Sequence, residues 1–226
     1  MGLRELREAV WDANMALPRE GLVRGTSGNA SGRDPSTGLV AIKPSGVSFA
    51  DLTPDDLAVV DLDGHQVEGR LKPSVDTASH LYIYRHRHDV GGVVHTHSPH
   101  ATAFAVRGQP IGVYTTTAAA LFGGPVPVAG PAVIGGEEIG RAVVDEIGQS
   151  SALLLRSHGV FTVGPSPAAA LRAAVYVEEE AEIAHLALLH GDLEPLPEQI
   201  VQASRQWYLK DYGQQGAPWR TAHRDS

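Results

Sequence analysis

A single mixed α/β domain is the fold class the sequence predicts, and three observations predict it. A length of 226 residues with 42% hydrophobic content suits one compact core rather than several. Runs with β-type alternation are interleaved with segments of helical period along the whole chain. No repeat, long charge block or low-complexity linker divides it.

Taken in order, the first element is a helix from about Leu3 to Leu17, with Pro18 expected to end it. The small residues of "GLVRGTSGNASGR" then form a turn-rich segment leading into strands. "GLVAIKPSG" reads as a strand closed by a Pro-Ser-Gly turn. In "LAVVDLDGHQVEG", Asp63-Gly64 between two alternating runs predicts a hairpin. A helix is expected from Ser74 to about His88, then a strand over "GGVVHTH", then a helix capped by Ser98 with Pro99 in its first turn. "ALLLRSHGVFTVG" reads as a buried strand pair. The longest helix follows, capped by Ser166, begun by Pro167 and stopped by Gly191.

Composition narrows the chemistry. With no cysteine there is neither a disulfide nor a thiolate ligand or nucleophile, so any metal must be held by His, Asp or Glu. A formal charge of -8 argues against nucleic acid, whose phosphates are bound through clustered Lys and Arg. An anionic small substrate would need a local positive site made by a metal, a lysine or helix N-termini. The start of the chain alternates charged and apolar residues, unlike a signal peptide, and no apolar run approaches the ~20 residues that span a bilayer. The expectation is a soluble cytoplasmic protein without a membrane partner.

The segment "RHRHDVGGVVHTHSPH" contains two His-x-His pairs among the eleven histidines of the chain. His86 and His88 fall at a helix end, where residues two apart point in different directions and basic side chains suit the helix dipole. His95 and His97 fall in a strand, where residues two apart share one face at ~6.5 to 7 Å and can converge on one cation. By spacing alone, those two can equally line a polar sheet face. His158 follows the apolar run "LLLR" and precedes a glycine, a place where a side chain leaves the core for a cleft. Asp76 and His80 lie four apart near a helix start, where an aspartate is ordinarily a capping residue. Three histidines and a carboxylate together make a plausible zinc site.

"GTSGNASGR", "KPSGV", "KPSVDTASH", "VVHTHSPHATA" and "RSHG", in this order and spacing, resemble the class II aldolase and adducin-head family over nearly the whole chain. The resemblance implies a three-layer α/β/α sandwich around a mostly antiparallel sheet. It implies one domain over residues 1–213, followed by a 214–226 tail that is flexible or closes over a neighbouring subunit. It also implies Zn2+ held by His95, His97 and His158, with Asp76 as ligand and general base, and a homotetramer with sites between subunits. The positions matching the family's phosphate-binding residues are Thr26, Asn29, Ser45, Gly46 and Ser74. Val75 stands where a second serine is usual, so one hydroxyl donor is missing.

Two sugar-phosphate reactions fit the resemblance. For an L-ribulose-5-phosphate 4-epimerase, the positions of its acid/base pair correspond to Ala119 and Trp207, and an alanine cannot transfer a proton. For an L-fuculose-1-phosphate aldolase, two tyrosines serving the aldehyde have matches in Tyr114 and Tyr212, although Asp76 stands in place of the usual glutamate. The expectation is therefore a zinc-dependent aldolase, a carbon-carbon lyase that cleaves a ketose 1-phosphate to dihydroxyacetone phosphate and a short aldehyde. The 4-epimerase is the alternative, and a non-catalytic module like the adducin head is a third reading.

Overall fold

The computed structural model describes residues 2–212, so the 214–226 tail lies outside the described residues. Eight strands form one sheet: β1 (Asn29–Arg33), β2 (Val40–Ile42), β3 (Ala58–Val60), β4 (Gln66–Glu68), β5 (Gly92–Thr96), β6 (Val128–Ala129), β7 (Ala152–Leu155) and β8 (Gly159–Gly164). Their spatial order is β4-β3-β2-β1-β5-β8-β7-β6. The ladders are antiparallel, apart from the parallel β6–β7 pair at one edge.

Strand alternation sorts side chains into two cores. Val93, Leu153, Leu155, Phe161 and Val163 pack on one face with α2 (Thr77–His86) and α5 (Glu138–Glu146). Their neighbours Val94, Leu154 and Val160 turn to the opposite face, covered by α1 (Leu3–Arg19), α3 (Pro99–Arg107) and α6 (Pro167–Leu188). The result is the three-layer α/β/α sandwich. Leu153, Leu154 and Leu155 are all fully buried, and each contributes roughly 1.5–3 kcal/mol of transfer free energy. Helices α4 (Thr116–Phe122) and α7 (Glu198–Asp211) pack together beside α6.

Four local expectations are corrected. The segment "NASGR" is not a turn-rich lead-in but the central strand β1, paired with β2 on one side and β5 on the other. Helix α1 runs through Pro18 to Arg19 because buried Leu17 and Leu22 hold its last turn against the core. Helix α2 starts at Thr77, since Ser74–Asp76 forms a turn in which the Asp76 N–H bonds to Ser74 Oγ at 3.2 Å. Ser98 occupies the N-cap of α3 but its hydroxyl makes no cap bond. Instead the Glu178 carboxylate, on α6, accepts the backbone N–H groups of His100 and Ala101, both at 2.9 Å. A charged acceptor suits the positive end of the helix, and it anchors the segment just after His97 to α6.

Candidate metal centre and active site

The end of β5 carries the first two candidate ligands. His95 pairs with Asn29 of β1 and with Phe161 of β8, and is 1% exposed. His97 follows the strand and is exposed to the pocket. The β7–β8 hairpin supplies the third, because its tight turn places Ser157 in the left-handed region at φ 60 and turns His158 toward β5. Gly159 is required beside it: a Cβ there would collide with the Thr96 carbonyl oxygen and lie 2.7 Å from the His97 ring.

One nitrogen from each of His95, His97 and His158 lies within 4.8 Å of the others, and the ring centroids are 4.7, 4.9 and 5.2 Å apart. The Nδ1–H of His95 donates to the Val160 carbonyl at 2.9 Å, leaving Nε2 as an unprotonated donor to a cation. Burial lowers the His95 pKa to about 3 against the opposing pull of Asp76, and burial lowers those of His97 and His158. All three are thus held neutral, the state a divalent metal requires. This donor set fits a divalent cation, and the chain has a His/Asp metal-binding cluster.

The same pocket, a cavity of about 330 Å³, contains Asp76 and all five positions matched to phosphate binding: Thr26, Asn29, Ser45, Gly46 and Ser74. Gly46 at φ 71 turns the chain after Ser45, a conformation that leaves backbone N–H groups accessible. Asn29 Nδ2 donates to Asp76 Oδ2 at 2.7 Å and to Ser74 Oγ at 3.2 Å. Val75, 56% exposed, stands at the pocket mouth without a hydroxyl to offer.

Sequence reasoning missed Lys43, which lines this pocket yet is 2% exposed. Its ammonium donates to the Val47 carbonyl at 2.7 Å and lies 4.6 Å from the Phe49 ring centroid. Burial lowers its pKa. The signal was the lysine of "KPSG", the one cation in a run of small residues, in a chain whose charge balance already called for a local positive site. Ile134, from the loop before α5, was also missed and lines the same cavity.

The two candidate tyrosines lie elsewhere in the chain. Tyr114 packs against the core between α3, α4 and α6. Tyr212 lines a groove of about 860 Å³ among α4, α6 and α7, stacked on Tyr208 at 4.7 Å, and Trp207 lines the same groove. Neither tyrosine lines the histidine pocket of its own chain. Ala119 is wholly buried, and the alanine of α4 that shares the groove with Trp207 is Ala120. Of the other histidine pair, His86 stacks on Tyr82 at 4.0 Å and His88 is exposed, and neither joins a metal-ligating cluster among the described residues.

Comparison with known proteins places these features in a lineage. Residues 8–185 match the family model described as Class II Aldolase and Adducin N-terminal domain. The L-ribulose-5-phosphate 4-epimerase UlaF of Salmonella paratyphi A is 40% identical over 211 residues, covering 88% of this chain and 92% of that protein. A solved L-fuculose 1-phosphate aldolase superposes with a TM-score of 0.86 at 28% identity, covering 91% of this chain and 96% of its own. The L-fuculose-1-phosphate aldolase of Thermus thermophilus superposes with a TM-score of 0.70 at 31% identity, covering 82% and 96%. The 40% identity to an epimerase overturns the expectation of an L-fuculose 1-phosphate aldolase, which is matched at 28% and 31% through solved structures. That expectation leaned on Tyr114 and Tyr212, which the fold keeps out of the pocket within one chain. The chain is an enzyme of the class II aldolase superfamily, and it belongs to the class II aldolase and adducin N-terminal domain family.

Proposed function

We propose that this protein is a zinc-dependent 4-epimerase of L-ribulose 5-phosphate. The observation that carries the reading is the 40% identity to a 4-epimerase across 88% of the chain. The pocket agrees in chemistry and size, since about 330 Å³ with convergent polar groups suits a five-carbon sugar phosphate.

Inversion at C4 is accounted for by breaking the C3–C4 bond, turning the aldehyde fragment over and re-forming the bond on its other face. When bound at His95, His97 and His158, zinc supplies Lewis-acid stabilisation of the negative charge that cleavage leaves on the C2 and C3 oxygens. Asp76 lines the same pocket and would add a carboxylate to the bound metal, its Oδ2 accepting from the Asn29 amide. Ser45, Gly46, Ser74 and the Thr26 segment hold the phosphate through hydroxyls and backbone N–H groups, with Lys43 contributing positive charge from beneath.

The proton on the C4 oxygen needs a donor and acceptor on the aldehyde side. Ala119 is in the core and Trp207 has no titratable group, so neither serves. In a homotetramer with sites between subunits, the aromatic groove of one chain would face the histidine pocket of the next, and Tyr212, 58% exposed, would handle that proton. Incubating the zinc-loaded protein with L-ribulose 5-phosphate tests the reading. The expected product is the C4 epimer; an unchanged substrate, or accumulation of two shorter fragments without epimer, would sink it.

A further inference from the structure

Helix α7 has little burial for an element that carries so much of the aromatic groove. Val201 is its one buried residue, and it joins the core near the start of the helix, just after the Leu196 N–H bonds the Val113 carbonyl at 2.8 Å. Beyond Val201 no side chain of α7 is buried, and Trp207 and Leu209 are largely exposed. Burial therefore holds only the first half of the helix. The groove residues Trp207, Tyr208 and Tyr212 all come after that point.

Arg205 supplies a second anchor. It stands four residues after Val201, on the same face of the helix. Its Nη1 donates to the carbonyls of Ala120 and Leu121 at 2.9 and 2.7 Å. Both carbonyls belong to the last turn of α4, where intrahelical bonds leave acceptors free and a cation suits the helix end. Gly123 ends α4 in the left-handed region at φ 69, and a Cβ there would lie 3.2 Å from the Arg205 stem. Ala120 and Leu121 line the groove from the α4 side, whereas Arg205 itself does not line it. The guanidinium thus ties one groove wall to the other from outside the cavity.

We infer that Arg205 is a positioning residue: it fixes the separation of α7 from α4, and through it the place of Tyr212 in the groove wall. Ring contacts carry the effect along the helix end. Tyr208 stacks on Tyr212 at 4.7 Å and Trp207 meets Tyr212 edge-on at 6.0 Å, so the end of α7 sets all three rings together. Proton transfer needs hydrogen-bond reach of ~2.6 to 3.2 Å, which makes it sensitive to small displacements of the phenol. The inference rests on the reading that Tyr212 serves the C4 oxygen at a neighbouring chain's pocket.

The test compares the zinc-loaded full chain with Arg205→Met, which keeps the stem and removes the donors. Arg205→Lys, which keeps the charge on a shorter side chain, is read in parallel, so a folding defect in one variant leaves the comparison standing. Backbone hydrogen exchange over residues 203–211 should become roughly 10-fold faster in Arg205→Met, with bound zinc unchanged. Its kcat on L-ribulose 5-phosphate should fall roughly 10- to 100-fold, with KM within about twofold of the parent. Combining Arg205→Met with Tyr212→Phe should cost no more than about twofold beyond Tyr212→Phe alone, because both changes remove the same function. Parent-like exchange or parent-like kcat in both Arg205 variants would overturn the inference, as would losses that multiply in the combined variant. If the parent does not convert L-ribulose 5-phosphate, the proposed function falls, and the exchange result alone decides whether Arg205 fixes α7.

Discussion

The histidine pocket and the aromatic groove are the two largest contrasts on the molecule. The groove among α4, α6 and α7 has a volume of about 860 Å³ and is walled by Trp207, Tyr208 and Tyr212. The pocket is about 330 Å³ and is built at the ends of β1, β5 and β8 from small and titratable residues. Volume alone would choose the groove. Convergent lone pairs choose the pocket, because three neutral imidazoles and one carboxylate lining one space have no structural purpose that apolar residues would not serve better.

Removing a ligand gives the largest separation between the two regions. His158→Ala should release the metal and take epimerase activity to the limit of detection, checked by elemental analysis and turnover on the same sample. Full activity with a metal-free pocket would move the chemistry elsewhere. Next in size is Tyr212→Phe, expected to lower kcat on the order of 10²-fold if the groove completes a neighbouring chain's site. An unchanged kcat would confine the reaction to the pocket of a single chain.

Acid should act on the two regions with opposite sign. His80, beside the pocket, has its pKa lowered to about 4, first by burial and in spite of Asp76. The unfolded chain therefore binds the proton more readily between about pH 6.5 and 4, and stability falls as pH falls through that window. The slope is about 1.4 kcal/mol per pH unit for this one proton. Glu180, between α6 and the start of α4, has its pKa raised by burial, so its contribution is present at low pH and is lost as pH rises through its folded pKa. Urea unfolding of the metal-free protein from about pH 7 to about pH 5 checks the first effect, and His80→Leu should flatten it by one proton. The smallest effect is expected from His86→Ala, within about 0.5 kcal/mol of parent stability and without loss of turnover, because that exposed ring stacks on Tyr82 and pairs with its carbonyl oxygen at 2.8 Å at the end of α2, away from the pocket.

Much of the pocket was legible because its candidate ligands stand at the ends of apolar strands. His95 lies near the end of β5 with His97 just past it, and His158 sits where an unbroken apolar run ends. The central strand β1 was not legible, since "NASGR" has no β-branched or aromatic residue and is a strand only because β2 and β5 pair with both its edges. Pro18 reads as a stop in the sequence, but core burial of Leu17 and Leu22 outweighs one lost helical bond. Lys43 was hidden because its ammonium is satisfied by carbonyls that come together only in the fold. The choice of reaction failed for a related reason: it rests on Ala119, Trp207, Tyr114 and Tyr212, residues that the single chain keeps away from the metal site.

The central claim is that metal bound at His95, His97 and His158 carries the epimerisation. It is tested most directly by titrating zinc into chelator-stripped protein while counting bound zinc and measuring C4 epimerisation of L-ribulose 5-phosphate. The predicted rate starts near zero, rises in proportion to bound zinc and levels off at one zinc per chain. A rate that is already full in stripped protein, or that does not follow zinc occupancy, would contradict the claim.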